Sequence, residues 1–106
     1  QTMKANRLLL ILLLTPFMAL AEIRNTPPSP PNNLHVYNTN GDTYVDHVLD
    51  TCGSRRYHLS PGHAKYDAIF SVLLTAQATG KQVQLKYNGC VNNNLQGEII
   101  GVYLVD

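Results

Sequence analysis

The amino-acid sequence predicts a small, mostly β domain of the α+β kind: five strands with one helix between strands three and four. Three observations carry this. One long stretch, residues 60–81 (SPGHAKYDAIFSVLLTAQATGK), repeats its apolar residues at helical spacing and ends in helix-stopping residues. The remaining apolar stretches beyond residue 33 are short, rich in Val, Ile, Leu and Tyr, and bounded by Asn, Gly and Asp. The chain has 106 residues, a length that allows one domain.

Taken from the start, Gln1 and Thr2 precede Met3, which opens a basic region (Lys4, Arg7), an apolar run from Leu8 to Leu14, Pro16, and Ala19-Leu20-Ala21. Residues 3–21 therefore read as a signal peptide cleaved between Ala21 and Glu22, and the mature protein is expected to be periplasmic or secreted. The apolar run is short for a span and Pro16 interrupts it, so no stable membrane insertion is expected. From Glu22 onward six lysines and arginines face seven acids. Only Arg55-Arg56 hints at a basic stripe, and nucleic acid is set aside as a partner. Residues 22–33 (EIRNTPPSPPNN) carry four prolines and are expected to form an extended, mobile arm. Residues 34–106 are left for the barrel domain.

Within that domain the first strand is expected at Leu34–Tyr37, followed by a turn around Asn40-Gly41, the strongest hairpin signal in the chain. The second is expected at Thr43–Thr51, where neither alternating set is cleanly apolar, and the third at Arg56–Leu59. The helix should begin with Ser60 as N-cap and Pro61 in its first turn, and close on a left-handed Gly80. Tyr66, Ile69, Phe70, Leu73, Leu74 and Ala76 form its apolar side. Its other side holds no charge between Asp67 and Lys81 and presents Ala68, Ser71, Thr75 and Thr79. A helix covering one small domain normally turns charges to water. These four residues are therefore expected to pack against further copies of the chain in a homo-oligomer. A fourth strand at Gln82–Tyr87, a polar loop at Asn88–Asn94 and a closing strand at Glu98–Val105 complete the order. Three strands, a helix and two strands is the order of the oligonucleotide/oligosaccharide-binding (OB) fold, a small Greek-key barrel, and the pattern alone does not separate it from another compact α+β roll.

Cys52 and Cys90 are the only cysteines. In an exported chain they are expected to pair as a disulfide spanning the helix. No C-x-x-C spacing supports a reactive or metal-binding pair. His35, His47, His58 and His63 lack metal-ligand spacing, and neither a G-x-S-x-G turn nor a Gly-rich phosphate loop is present. Neither an enzyme nor a cofactor is expected. Recognition remains. A sugar offers an apolar face and a polar rim, and Tyr44, Asp46 and Tyr57 with the amides of Asn92, Asn93 and Asn94 are the candidate contacts.

Asn38-Thr39-Asn40 followed by Tyr44-Val45-Asp46-His47-Val48-Leu49, and Tyr66 to Val83 with Gln77, Thr79-Gly80-Lys81 and Val83, resemble the first strand and the helix region of the subtilase cytotoxin B subunit group. The resemblance covers about two-thirds of the chain beyond the leader. It implies an OB barrel, a pentameric ring with central helices, an outer surface that binds host glycans, and an exported catalytic A subunit as partner. Where that group holds sialic acid with a small hydroxyl residue this chain has Val45, which neither donates nor accepts a hydrogen bond, so no family site residue is carried over. The alternative is a periplasmic structural or protein-interaction domain without a sugar site. A small hydrolase is the third reading.

Overall fold

A computed structural model of the chain describes residues 22–105. The leader expected over residues 3–21 lies outside the described residues. The fold is mostly β with one helix: β1 (Ile23–Asn25), β2 (Asn32–Val36), β3 (Thr43–Asp46), β4 (Arg56–Leu59), α1 (Tyr66–Thr79), β5 (Gln82–Val91) and β6 (Gln96–Val105). The six strands form one mixed sheet in the order β1-β5-β6-β4-β3-β2, antiparallel except for the β4–β6 pair. None of the described helices is long and apolar enough to cross a membrane.

Six strands replace the five expected, and the helix follows the fourth. The added strand lies in the proline-rich arm, which is extended but belongs to the sheet: Ile23, Arg24 and Asn25 pair with Asn88, Tyr87 and Lys86 of β5. Between residues 26 and 31 only Thr26 and Ser29 retain an N–H, because the other four are prolines. Both donate to β5, Thr26 to the Leu85 carbonyl at 2.9 Å and Ser29 to the Val83 carbonyl at 3.1 Å. Their spacing of three matches the turn of a polyproline helix, which sets every third residue on one side. The Thr26 hydroxyl also accepts from the Leu85 N–H at 2.9 Å, so this buried residue is bound from both ends.

That arm also joins the two sides of the sheet. Ser29 bridges Val83 on β5, and three residues later Asn32 pairs with Asp46 on β3. Three residues span at most about 11 Å, so the sheet must curl until β5 and β3 nearly meet. His47, just past β3, spans the seam: its Nε2–H is shared between the carbonyls of Ser29 and Val83, each at 2.9 Å.

Alternation fills the interior. Thr43 and Val45 of β3, Tyr57 and Leu59 of β4, Val83, Leu85 and Tyr87 of β5, and Ile99 of β6 are buried, and Ile69, Leu73 and Ala76 of α1 close the core. Leu74, expected on the apolar side, is 49% exposed. Thr43–Thr51 does not continue as a strand past Asp46, because His47 turns in toward the seam and the chain leaves toward Cys52. Cys52 is joined to Cys90 by a disulfide with Cα atoms 5.8 Å apart. The loop expected at Asn88–Asn94 is mostly strand. Gly89 (φ 70°) sits in a bulge between the Tyr87↔Ile99 and Cys90↔Gly97 pairs, and only Asn92–Leu95 turn.

The helix ends where expected, on left-handed Gly80 (φ 72°), but starts later. Ser60 accepts from the Gly62 N–H inside a preceding turn instead of capping α1. His63 sets the start: its Nε2–H donates to the Ile100 carbonyl at 3.0 Å and its Nδ1 accepts from the Lys65 N–H at 2.9 Å, tying the turn to β6.

Candidate binding site

Once Thr43, Val45, Tyr57 and Leu59 point inward, the residues between them must point out. The register then lines up one outward row across four strands: His35 opposite Tyr44, Tyr44 opposite His58, His58 opposite Glu98. Tyr44 is its centre. The His35 and His58 rings lie 5.8 and 5.2 Å from it, and the Tyr37 ring stands edge-on at 5.9 Å and 87°. One row along, Asp46 faces Arg56, whose Nε and Nη2 donate to its two carboxylate oxygens at 2.9 and 3.3 Å. Asn33 adds a third donor to Asp46 at 3.0 Å. The Arg56 hydrogen bond, helped by Asn33, holds the Asp46 carboxyl below its usual range against the effect of burial.

Beside this row opens a cleft of about 330 Å³, lined by Tyr37, Tyr44, Arg56, Asn92 and Gln96. Two of the expected contacts, Tyr44 and Asn92, are therefore brought together. Asp46 stands behind the cleft as the partner of Arg56. Tyr57 is corrected: it is 1% exposed, packs edge-on against Tyr87, and donates its hydroxyl proton to the Val48 carbonyl at 2.7 Å. Its alternation with Arg56 and His58 puts the phenol in the core. Asn93 and Asn94 are exposed on the turn and do not line the cleft. Asn92, Asn93 and Asn94 have φ of 55°, 64° and 61°, a left-handed run that asparagine tolerates better than other side chains, so backbone conformation explains the amide cluster. Asn92 also donates to the Gln96 carboxamide across the turn.

Tyr37, Arg56 and Gln96 complete the lining and were not among the expected contacts. Arg56 was within reach of the sequence, since apolar Tyr57 and Leu59 imply an outward Arg56 and His58. Val45 is fully buried, so the position compared with the family's hydroxyl residue does not reach the cleft.

His58 is held between acids. Its Nε2 meets Asp42 at 2.9 Å and its Nδ1 meets Glu98. Burial pushes its pKa down, but the hydrogen bonds and charges of Asp42 and Glu98 outweigh this and leave it raised. Both ring nitrogens are engaged, which leaves no lone pair for a metal or a nucleophile. Among the described residues no group of three or more His, Cys, Asp or Glu is placed to hold a metal ion. The cleft thus combines two phenols, two amides and one paired guanidinium, groups suited to a ligand with an apolar face and a rim of hydroxyls. Compared with protein-family models, curated proteins and solved structures, the chain matches none.

Proposed function

We propose that this chain is an exported glycan-binding module resembling the ring-forming B subunit of a bacterial A–B toxin. The Tyr44-centred cleft carries the reading, because aromatic rings beside amides are what a saccharide surface requires. The strand plan supports the OB-type expectation when β1 and β2 are taken as one strand interrupted by prolines. Five strands then remain, curled on themselves, with the helix between the third and the fourth. The ring draws support from α1. Ala68, Ser71, Thr75 and Thr79 are all exposed, and Leu74 stands exposed among them, so this uncharged face is free for other copies of the chain. In a ring of five, the helices would line the centre and the cleft would face outward, with an exported catalytic subunit as a further partner.

The test is the native mass of the exported protein together with a glycan array. An assembly of several subunits that retains glycans is expected, with Tyr44→Ala losing them. A clean monomer that binds no glycan overturns the reading. The periplasmic protein-interaction alternative has one observation in its favour, the same bare helix face, and predicts a blank array with a protein bound there. A small hydrolase draws no support from His58, whose ring nitrogens are both taken by carboxylates.

A further inference from the structure

The charges around the cleft narrow the ligand, and this step rests on the glycan reading above. Arg56 is the only cation in the lining, and it is already neutralised: Nε and Nη2 hold the two oxygens of Asp46, and Asn33 donates to the oxygen that Nη2 holds. An incoming carboxylate or sulfate would find the Nε–Nη2 edge taken and could meet only the outer hydrogens of Arg56, with the Asp46 carboxylate standing close by. The rings on either side of Tyr44 are also engaged: His58 has Asp42 on one nitrogen and Glu98 on the other, and His35 turns its Nδ1 to the Asn33 carbonyl. Arg56 and His58 are therefore each matched by carboxylates at hydrogen-bond distance. The remaining lining groups, Tyr37, Tyr44, Asn92 and Gln96, are neutral, and together they donate to and accept from hydroxyls.

We infer that the cleft takes a neutral terminal sugar and discriminates against acidic sugars. Tyr37 and Tyr44 stand nearly perpendicular, so a pyranose ring stacked on one meets the edge of the other. A cleft of about 330 Å³ is at the small end for ligand sites and fits a chain end better than a long polymer. Arg56 still contributes through its Nη1 hydrogens, which have no protein partner among the described residues and suit a hydroxyl oxygen. Asp46 is thus a specificity-determining residue that acts through Arg56.

The full chain would be tested against neutral hexose-terminated oligosaccharides and against the same oligosaccharides capped with sialic acid or sulfate. Neutral ends are expected to bind, and an acidic cap to weaken binding at least about fivefold. Equal or tighter binding of the capped series overturns the inference and leaves the glycan reading standing. Failure of every probe removes the glycan reading and the inference with it. Asp46→Asn, checked for folding by circular dichroism, frees Arg56 and should shrink or reverse the preference. An unchanged preference in a folded Asp46→Asn protein places the discrimination elsewhere and also overturns the inference. Should that variant not fold, the comparison of neutral and capped probes on the parent chain still decides.

Discussion

Gly97 and Tyr57 face each other across the parallel pair of β4 and β6, where a Cβ on Gly97 would come within 2.7 Å of the Tyr57 ring and 3.0 Å of the Tyr87 ring. Both rings are wedged in the core, so neither has room to yield. Gly97→Ala should cost about 1–3 kcal/mol by overpacking, read as a lower urea midpoint. Two histidines set opposite pH dependences. His58 has a raised pKa when folded, so its contribution is complete below its ordinary 6.5 and disappears as pH climbs through the folded value. His47 is held below 6.5 by burial, which its bonds to the Ser29 and Val83 carbonyls offset only in part, and its buried Nδ1 has no partner among the described residues. Its contribution is complete above 6.5 and disappears as pH falls through the lowered folded value. Denaturation measured across a pH series should show stability falling on both sides. His58→Gln is expected to flatten the alkaline side and His47→Gln the acid side. An unaltered alkaline side in His58→Gln would remove the Asp42–His58–Glu98 arrangement as its source.

The element that differs most from its sequence expectation is the arm. Prolines at 27, 28, 30 and 31 exclude a central strand. Their spacing leaves over Thr26 and Ser29, one donor per three residues, both turned to β5. Thr26→Val keeps the shape but leaves the Leu85 N–H buried without its hydroxyl acceptor, at a cost of about 1–3 kcal/mol. Amide exchange should then accelerate at Leu85 and Val83 before the rest of β5, and unchanged exchange there would mean that the arm does not hold the seam. The helix was more legible, since Gly80 ends it through local backbone geometry. Its start depends on His63 reaching Ile100, 37 residues away, which no local signal encodes. The site divides in the same manner. Tyr44 is legible as an aromatic beside Asp46 but not as outward, since neither alternating set of its stretch is cleanly apolar. Tyr57 had to be assigned a face first, and the asparagine run answers to backbone conformation as much as to any ligand.

At the level of the whole molecule the question is what keeps so small a curled sheet closed. The arm and His47 hold the seam between β5 and β3, and the Cys52–Cys90 disulfide holds the long β3–β4 connection against the end of β5. The disulfide lies two residues before Asn92, so one covalent link positions both the core closure and one wall of the cleft. With a sequence separation of 38 between the cysteines, the loop-entropy account gives about 4 kcal/mol of stabilisation. Domains have only about 5–15 kcal/mol in total, so this is a large fraction. The paired substitution of Cys52→Ser and Cys90→Ser is therefore expected to lower the urea midpoint strongly. The glycan binding proposed above should, in addition, weaken further than the loss of folded protein explains, because the Asn92 turn loses its anchor. Equal stability of the two proteins would show that the seam closes without the link. A loss of stability with full affinity in the folded fraction would show that the Asn92 turn is held by its own left-handed backbone and the Gln96 amide, independently of the disulfide.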